Sequence, residues 1–518
     1  MVSIPVYDGA GGIGGNKIYV GAEGNGVFLD FGKNFGKYGL FYEEFLKNRD
    51  SRGIHDLLHL DLIPKINVYR PDLIPSDVDL SPYPRPEVTA VLLSHAHVDH
   101  SGNIGLLDMS IPVIASPVSI AILKGMQDSG VSSLDSDVAY ISPKVPKEGG
   151  LFLGSDKTSP HRGRDFYCTA TPGEDLLGLL SRRPGQDGKN AKKFEPGTCL
   201  PLDSAALPFH VRAYDVDHSI YGALGYILEG DTTIAYTGDF RLHGKQGDKT
   251  RHFVFEAKDA SVLIIEGTRV SRQTGPEGEG DEQEPSTEAT VFETCRSTAE
   301  SAKGLIIADF SPRNFERLET FLAIAEKTGR KLVVMAKDAY LLHAMECADG
   351  VCRYRPVGIY RELTDQSRRK WESEVVEAKA GEQYVSHLDI RNNPDLYILC
   401  FSFFDMKHLL DIKPACGTYI YSSCEAFNEE MEIDFVRLGN WLKRFGMQSS
   451  GFCIGGNGKP EFDPGYHASG HASREDLAWV IDQVSPDVLI PVHTMAREWF
   501  AKNFDNVAVV DHGKPVQV

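Results

Sequence analysis

"VLLSHAHVDHSGNIG", residues 91–105, is an apolar run that ends in four ligand-type side chains, His95, His97, Asp99 and His100. Imidazole and carboxylate are the donors that hold Zn²⁺ or Mn²⁺. In extended chain, alternate side chains point the same way, so His95 and His97 can share one ion while Asp99 and His100 turn toward a second. The bland alternative is a chance cluster on a solvated loop, but four such residues rarely fall so close together.

Two ions need further ligands, and other strand ends offer them. "YDVDHSIYGALGYIL" carries His218 ahead of an apolar strand, "IAYTGDFR" ends a strand on Asp239, and "LIPVHTMA" ends one on His493. Singly, each is an ordinary strand-end residue. With the HxHxDH run they form a set.

Composition narrows the surroundings of this set. The 518 residues are too many for one simple core. With 42% apolar and 25% charged residues the chain reads as globular. No apolar stretch nears the roughly 20 residues of a membrane helix, and the opening "MVSIPVYDGAGGIGGNKIYV" has neither a basic start nor an apolar core, so no targeting segment is expected. Nine cysteines are scattered without a CxxC pair, as free thiols are in a reducing cytoplasm. A formal charge of −19 excludes general adhesion to nucleic acid or anionic lipid, so a polyanionic partner must meet a local basic groove.

Strand-like text dominates the first half: a hairpin at 16–31 around Gly24-Asn25-Gly26, then 87–95, 222–230, 232–239 and 261–267. Between them, helical spacing at 117–128 gives way to Gly/Pro/Lys-rich text, with 181–197 reading as a mobile basic loop. An acidic low-complexity stretch at 274–288 reads as a linker. Beyond it, "EATVFETCRSTAESA", "GLIIADF", "NFERLETFLAIAEKTG", "RKLVVMAKD" and "AYLLHAMECA" alternate helix and strand, which predicts a parallel α/β unit. The chain ends with a helix in "HASREDLAWVIDQV" and a strand in "DVLIPVH".

The ligand set, in this order, resembles the metallo-β-lactamase superfamily. The resemblance implies an αββα sandwich, with His95, His97 and His218 on one zinc, Asp99, His100 and His493 on the other, and Asp239 bridging. It also implies that Asp30 of "GVFLDFG" supports the histidine turn rather than binding metal. Glu266 of "VLIIEGTR", His471 of "HASGHASREDL" and His493 of "IPVHT" are similar to the three extra motifs of the β-CASP nucleases, in which a second domain is inserted after the first of these motifs. The implied fold class is therefore α/β: a metallo-β-lactamase αββα sandwich with an inserted α/β β-CASP domain, a parallel sheet flanked by helices. The expected divisions are 1–270, with an insertion at about 110–205 near the site mouth, then 285–447, then 448–518 completing the first domain. Within β-CASP proteins a histidine at the third motif goes with RNA, and "GAGGIGGNKIYV" with "HASGHA" most resembles the ribonuclease J group. There are departures: a longer stretch between His100 and His218, "EGTR" in place of "EST", and too little chain after His493 for the C-terminal domain of bacterial ribonuclease J.

The expected activity is a zinc-dependent ribonuclease with two Zn²⁺ (or Mn²⁺), hydrolysing phosphodiesters of single-stranded RNA by hydroxide formed at the metal pair, 5′→3′ or internally. The expected setting is the cytoplasm, with no membrane partner, and a homo-oligomer is compatible with the chain. Asp99, His471 and Glu266 are the catalytic candidates: His471 would protonate the leaving 3′ oxygen, kept basic by Glu266, or the two would form a structural pair between domains. His467 and Ser469 would hold a phosphate, with Gly470 allowing close approach, or the stretch is a tight turn. Asn16 could face the cleft. Arg269, Arg272, Lys331 and the 182–193 loop are candidate phosphate contacts. Cys347, Cys352 and His343 read as helix residues rather than a metal site, and "FSFFDM" (401–406) as core. The alternative function is hydrolysis of a small ester, thioester or lactone beneath the inserted domain as a lid.

Overall fold

The computed structural model describes every residue except 44, 132, 190, 271–285, 365–368, 378–382, 424–428 and 509. The acidic stretch at 274–288, apart from its last residues, and Arg272 lie outside the described residues.

Strand Glu87–Leu92 lies inside an eight-stranded sheet, and its side chains alternate between two cores. Ala90 and Leu92 face the interior of a sandwich, while Val91 and Leu93 face helices on the outer side. The sheet runs Cys199–Pro201, Phe166–Cys168, Val113–Ala115, Glu87–Leu92, Asn25–Leu29, Lys17–Ala22, Val2–Asp8 and Pro515–Gln517. Stacked on it is a five-stranded sheet ordered His210–Asp215, Leu224–Glu229, Ile234–Tyr236, Val262–Glu266 and Val488–Val492. Its outer face is covered by Phe253, Leu477, Val480 and Phe500, from helices Gly247–Glu256, Arg474–Val484 and Arg497–Asn503. Helix, sheet, sheet and helix layers follow, as expected for an αββα sandwich.

The remaining large sheet has seven strands, all paired parallel: Tyr384–Ser386, Gly358–Arg361, Lys331–Val334, Tyr397–Leu399, Leu305–Asp309, Gly417–Tyr421 and Met447–Ser450. Helices cover both faces, Glu288–Ser301 and Phe315–Lys327 on one and Glu429–Arg444 on the other.

Three expectations need correction. The hairpin turns at Glu23 and Gly24, both with positive φ, because Ala22 pairs with Asn25 and leaves a two-residue turn one step before the glycine-asparagine-glycine run. The second sheet keeps the chain until Ser450, because Met447–Ser450 pairs with Gly417–Tyr421, so its unit does not end at 447. The 110–205 stretch does not border the site mouth, since none of its described residues lines the cleft; its strands Val113–Ala115, Phe166–Cys168 and Cys199–Pro201 lengthen the first sheet at one edge. Helix Pro117–Ser129 of the same region packs on helix Ala336–Asp349, where the Lys124–Asp128 ion pair is buried beneath Tyr140 and Tyr340. The 181–197 stretch itself contains strand Phe194–Glu195.

Among the described residues no helix is long and apolar enough to cross a membrane.

Candidate metal centre

After Leu92 the chain turns through Ser94, His95 and His97 into the single helical turn Val98–Ser101. Asp30, at the end of the neighbouring parallel strand and held at φ 58°, organises that turn. Its carboxylate accepts from Ser94 N (2.7 Å), Ser94 Oγ (2.8 Å), Tyr236 Oη (2.5 Å) and His100 Nδ1 (2.7 Å). These contacts consume Asp30 and leave His100 Nε2 facing forward. Gly32 has to be glycine, since a Cβ there would lie 1.6 Å from the Asp99 carbonyl oxygen. Asn16 does not face the cleft; it is buried behind Asp30 and donates to Tyr236 Oη (3.2 Å).

Two clusters converge in front of this scaffold. In one, His95 Nε2 lies 3.0 Å and His218 Nε2 3.3 Å from His97 Nδ1. In the other, Asp99, His100, Asp239 and His493 bring one donor atom each within 4.8 Å of one another. Asp239 Oδ2 sits 3.8 Å from His95 Nε2, 3.1 Å from His100 Nε2 and 3.9 Å from His493 Nε2, between the clusters. Its Oδ1 is buried without a hydrogen-bond partner.

This donor set fits metal. Three lone-pair nitrogens spaced near the edge of a tetrahedron with ~2.1 Å bonds, about 3.4 Å, are what ligands to one ion present. An orphaned buried carboxylate oxygen is costly unless a cation takes it.

Electrostatics agree. Burial, then neighbouring imidazoles, push His95 and His97 far below their ordinary pKa and His218 down to about 4. Neutral imidazole is the ligating form. At His100 burial acts in the same sense, but the carboxylates of Asp239, Asp30 and Asp99 outweigh it and raise the value.

Beside the second cluster, His471 Nδ1 is 3.1 Å from Glu266 Oε1 and 3.8 Å from Asp239 Oδ2. Burial would lower the His471 pKa, yet the Glu266 and Asp239 carboxylates raise it. The loop carrying His471 is fastened from both units. Ser469 O accepts from Arg241 Nη1 (3.2 Å) and His243 Nε2 (3.0 Å), Gly470 O from His218 Nδ1 (2.6 Å), and Tyr466 O from Arg317 Nη1 (3.2 Å) and Ser422 Oγ (2.6 Å). Arg241 itself contacts Asp217 (3.3 Å), Glu288 (3.2 Å) and Glu316 (2.5 Å), and Arg317 contacts Glu288 (3.0 Å), all buried. Gly470 therefore approaches His218 closely, while Ser469 Oγ accepts from His471 N (3.1 Å). A cleft of about 1630 Å³ opens over both clusters, and His467, Ser469, Gly470 and His471 line it.

A family model described as the Zn-dependent metallo-hydrolase RNA specificity domain matches residues 465–510, the stretch that carries His467, Ser469, His471 and His493. Ribonuclease J of Pyrococcus abyssi is 21% identical over 502 residues, which is 95% of this chain and 90% of that one. Over nearly its whole length the chain is similar to ribonuclease J. Ribonuclease J of Mycoplasma genitalium is 23% identical over 305 residues, 55% of this chain and 46% of the relative. A crystal structure of a protein of unknown function from Enterococcus faecalis V583 shares the fold along the full length of both chains, with TM-score 0.68 and 22% identity.

The structure brings together every ligand candidate of the sequence, together with Glu266 and His471. The basic candidates fare differently. Lys331 begins its strand, whereas the cleft lies beyond the strand ends at Ser311 and Ser422, so Lys331 sits at the opposite edge of the sheet. Arg269 and the 182–193 loop are not among the cleft-lining residues, and Arg182 pairs with Asp187. In "FSFFDM", Phe401 and Met406 are core but Phe404 is exposed. Cys347 and His343 lie one turn apart on helix Ala336–Asp349. One residue of the site is not singled out in the sequence, although it lies within "EGTR": Thr268, between Glu266 and His493.

Proposed function

We propose that the chain is a two-zinc ribonuclease that hydrolyses phosphodiester bonds of single-stranded RNA. The observation that carries this reading is the His471–Glu266 pair, held on a loop fastened from both units and set against Asp239, which belongs to the second ligand cluster and lies 3.8 Å from His95 of the first. His95, His97 and His218 would hold one zinc, and Asp99, His100 and His493 the other, with Asp239 between them. When bound, such ions neutralise phosphate charge and lower the pKa of water to near neutrality.

The chain's own groups supply the rest. Asp99, opposite His493 at 3.3 Å, fixes the side from which water approaches the phosphorus. His471, protonated and leaning on Glu266, delivers a proton to the leaving 3′ oxygen. His467 and Ser469 at the cleft wall receive a neighbouring phosphate, the arrangement a 5′→3′ reading needs. The cleft exceeds the ~300–1,000 Å³ of small-molecule pockets, which supports a polymer over a small ester. The eight described cysteines are all free, as a cytoplasmic setting would keep them.

The test is purified protein with end-labelled RNA carrying a 5′-monophosphate or a 5′-triphosphate, with and without EDTA. Metal-dependent cleavage is expected, and the product ladder separates stepwise from internal cutting. No cleavage of any RNA overturns the reading.

A further inference from the structure

Most cations around the cleft are already satisfied. Arg241 and Arg317 are held in ion pairs, Lys37 lies 3.0 Å from Asp8, and Arg497 Nη1 donates to Val510 O at 2.9 Å. Arg313 differs. It stands in the turn after strand Leu305–Asp309, between Ser311 and Asn314, which both line the cleft with His97 and Asp99. That turn is rigid: Asn314 N donates to Ser311 O (2.8 Å), and Asn314 Oδ1 accepts from Arg317 N (3.0 Å) to cap helix Phe315–Lys327.

The Arg313 side chain is half-buried and has neither a hydrogen bond nor an ion pair among the described residues. Burial lowers the Arg313 pKa while the Asp99 carboxylate opposes it, and Arg313 adds, after burial and His218, to the lowering at His97. A guanidinium keeps its charge at any working pH, and one without a protein partner beside the cleft is free to receive an anion.

We propose that Arg313 binds a non-bridging oxygen of the scissile phosphodiester, clamping it from the second unit against the Asp99 side of the metal centre. This rests on the ribonuclease reading. The planar fork suits a phosphate better than a lysine ammonium does, and its contact strengthens as charge builds on the phosphate oxygens. Arg313 thereby requires an anionic substrate and makes cleavage depend on the seating of one unit on the other.

The test compares the full chain with R313K and R313M on RNA bearing an ordinary, an Rp-phosphorothioate or an Sp-phosphorothioate linkage at the cleavage position. Zinc content is measured in parallel. R313M is expected to lose about 10²–10³-fold in kcat/KM, with zinc content unchanged and R313K recovering only part. The rate penalty of one sulfur diastereomer should shrink in R313M, since the contact it disturbs is already gone. Wild-type rates in R313M, lost zinc in both variants, or sulfur penalties identical to wild type overturn the assignment. If the wild type itself cleaves no RNA, the ribonuclease reading fails and the clamp falls with it.

Discussion

Thr268 Oγ1 lies 2.8 Å from His493 Nδ1, and the same hydroxyl gives its only proton to Glu266 Oε2 at 2.6 Å. The hydroxyl must therefore accept from His493, which fixes the Nδ1–H tautomer and leaves the Nε2 lone pair toward Asp99 and Asp239. His493 also sits at φ 52°, an uncommon backbone for a residue with a Cβ, and its N–H donates to Gly9 O at 2.7 Å. Glu266 thus orients two imidazoles, His471 through one oxygen and His493 through the other and Thr268.

Thr268→Val should weaken zinc at the second position by about 10–100-fold, the usual effect of losing a ligand's orienting partner. The first position should be unaffected, and Thr268→Ser should restore binding. Zinc competition titration reads both positions; an unchanged second affinity would show that Thr268 does not set the tautomer.

Chelation should abolish cleavage, and replacing single ligands should divide the centre. His218→Asn is expected to lose the ion of the His95–His97 cluster and His493→Asn the other. Asp239→Ala should bind neither firmly, because Asp239 Oδ2 faces both clusters. Metal analysis per chain after dialysis checks the division, and equal loss in all three variants would contradict a bridging Asp239.

His471→Ala should lower kcat by about 10²–10⁴-fold, the usual range for a lost general acid. Little change in KM or zinc content is expected, since the neighbouring ligands His218 and His493 are oriented through Gly470 O and Thr268 rather than by a hydrogen bond to this ring. Single-turnover rates on RNA would show it, and they distinguish a proton donor from a merely structural pair, whose loss would appear in zinc content or folding instead.

How legible the site was depended on how far apart its parts lie in the chain. His95, His97, Asp99 and His100 announce themselves because one turn holds them all, and Asp239 and His493 are recognisable as polar residues ending apolar strands. Thr268 and Arg313 carry no such mark. A hydroxyl two positions after Glu266 gains its meaning only when His493 arrives from the far end of the chain, and an arginine in a turn is informative only because none of the described residues pairs with it. The fold followed the same rule. Long alternating or amphipathic stretches declared themselves, whereas the three-residue strands Phe166–Cys168 and Cys199–Pro201 are strands only because neighbouring strands supply their hydrogen bonds. Glycine-rich text at 24–26 pointed to the hairpin turn but not to its register, which Glu23 at φ 51° settles.

Arg241→Met should destabilise the chain by about 3–5 kcal/mol, because it leaves Asp217, Glu288 and Glu316 with a buried charge deficit. It also removes one of the two donors to Ser469 O, leaving His243 alone, so cleavage should fall even below the unfolding transition. Urea unfolding alongside activity measures both, and loss of stability with activity per folded chain intact would separate the seam from His471.

Asp309, which is not one of the ligand candidates, provides a pH dependence of stability. Burial raises its pKa from 3.8 to about 7, with the Tyr419 hydroxyl bond opposing. The folded chain therefore binds more protons than the unfolded chain between those values, and this group's contribution to stability is present at low pH and lost as pH rises through about 7. Asp309→Asn stays neutral throughout, so it should gain on wild type as pH goes from 4.5 to 8. Urea midpoints of both proteins across that range check the sign; a stability difference independent of pH would show that the Asp309 carboxyl does not titrate in this window.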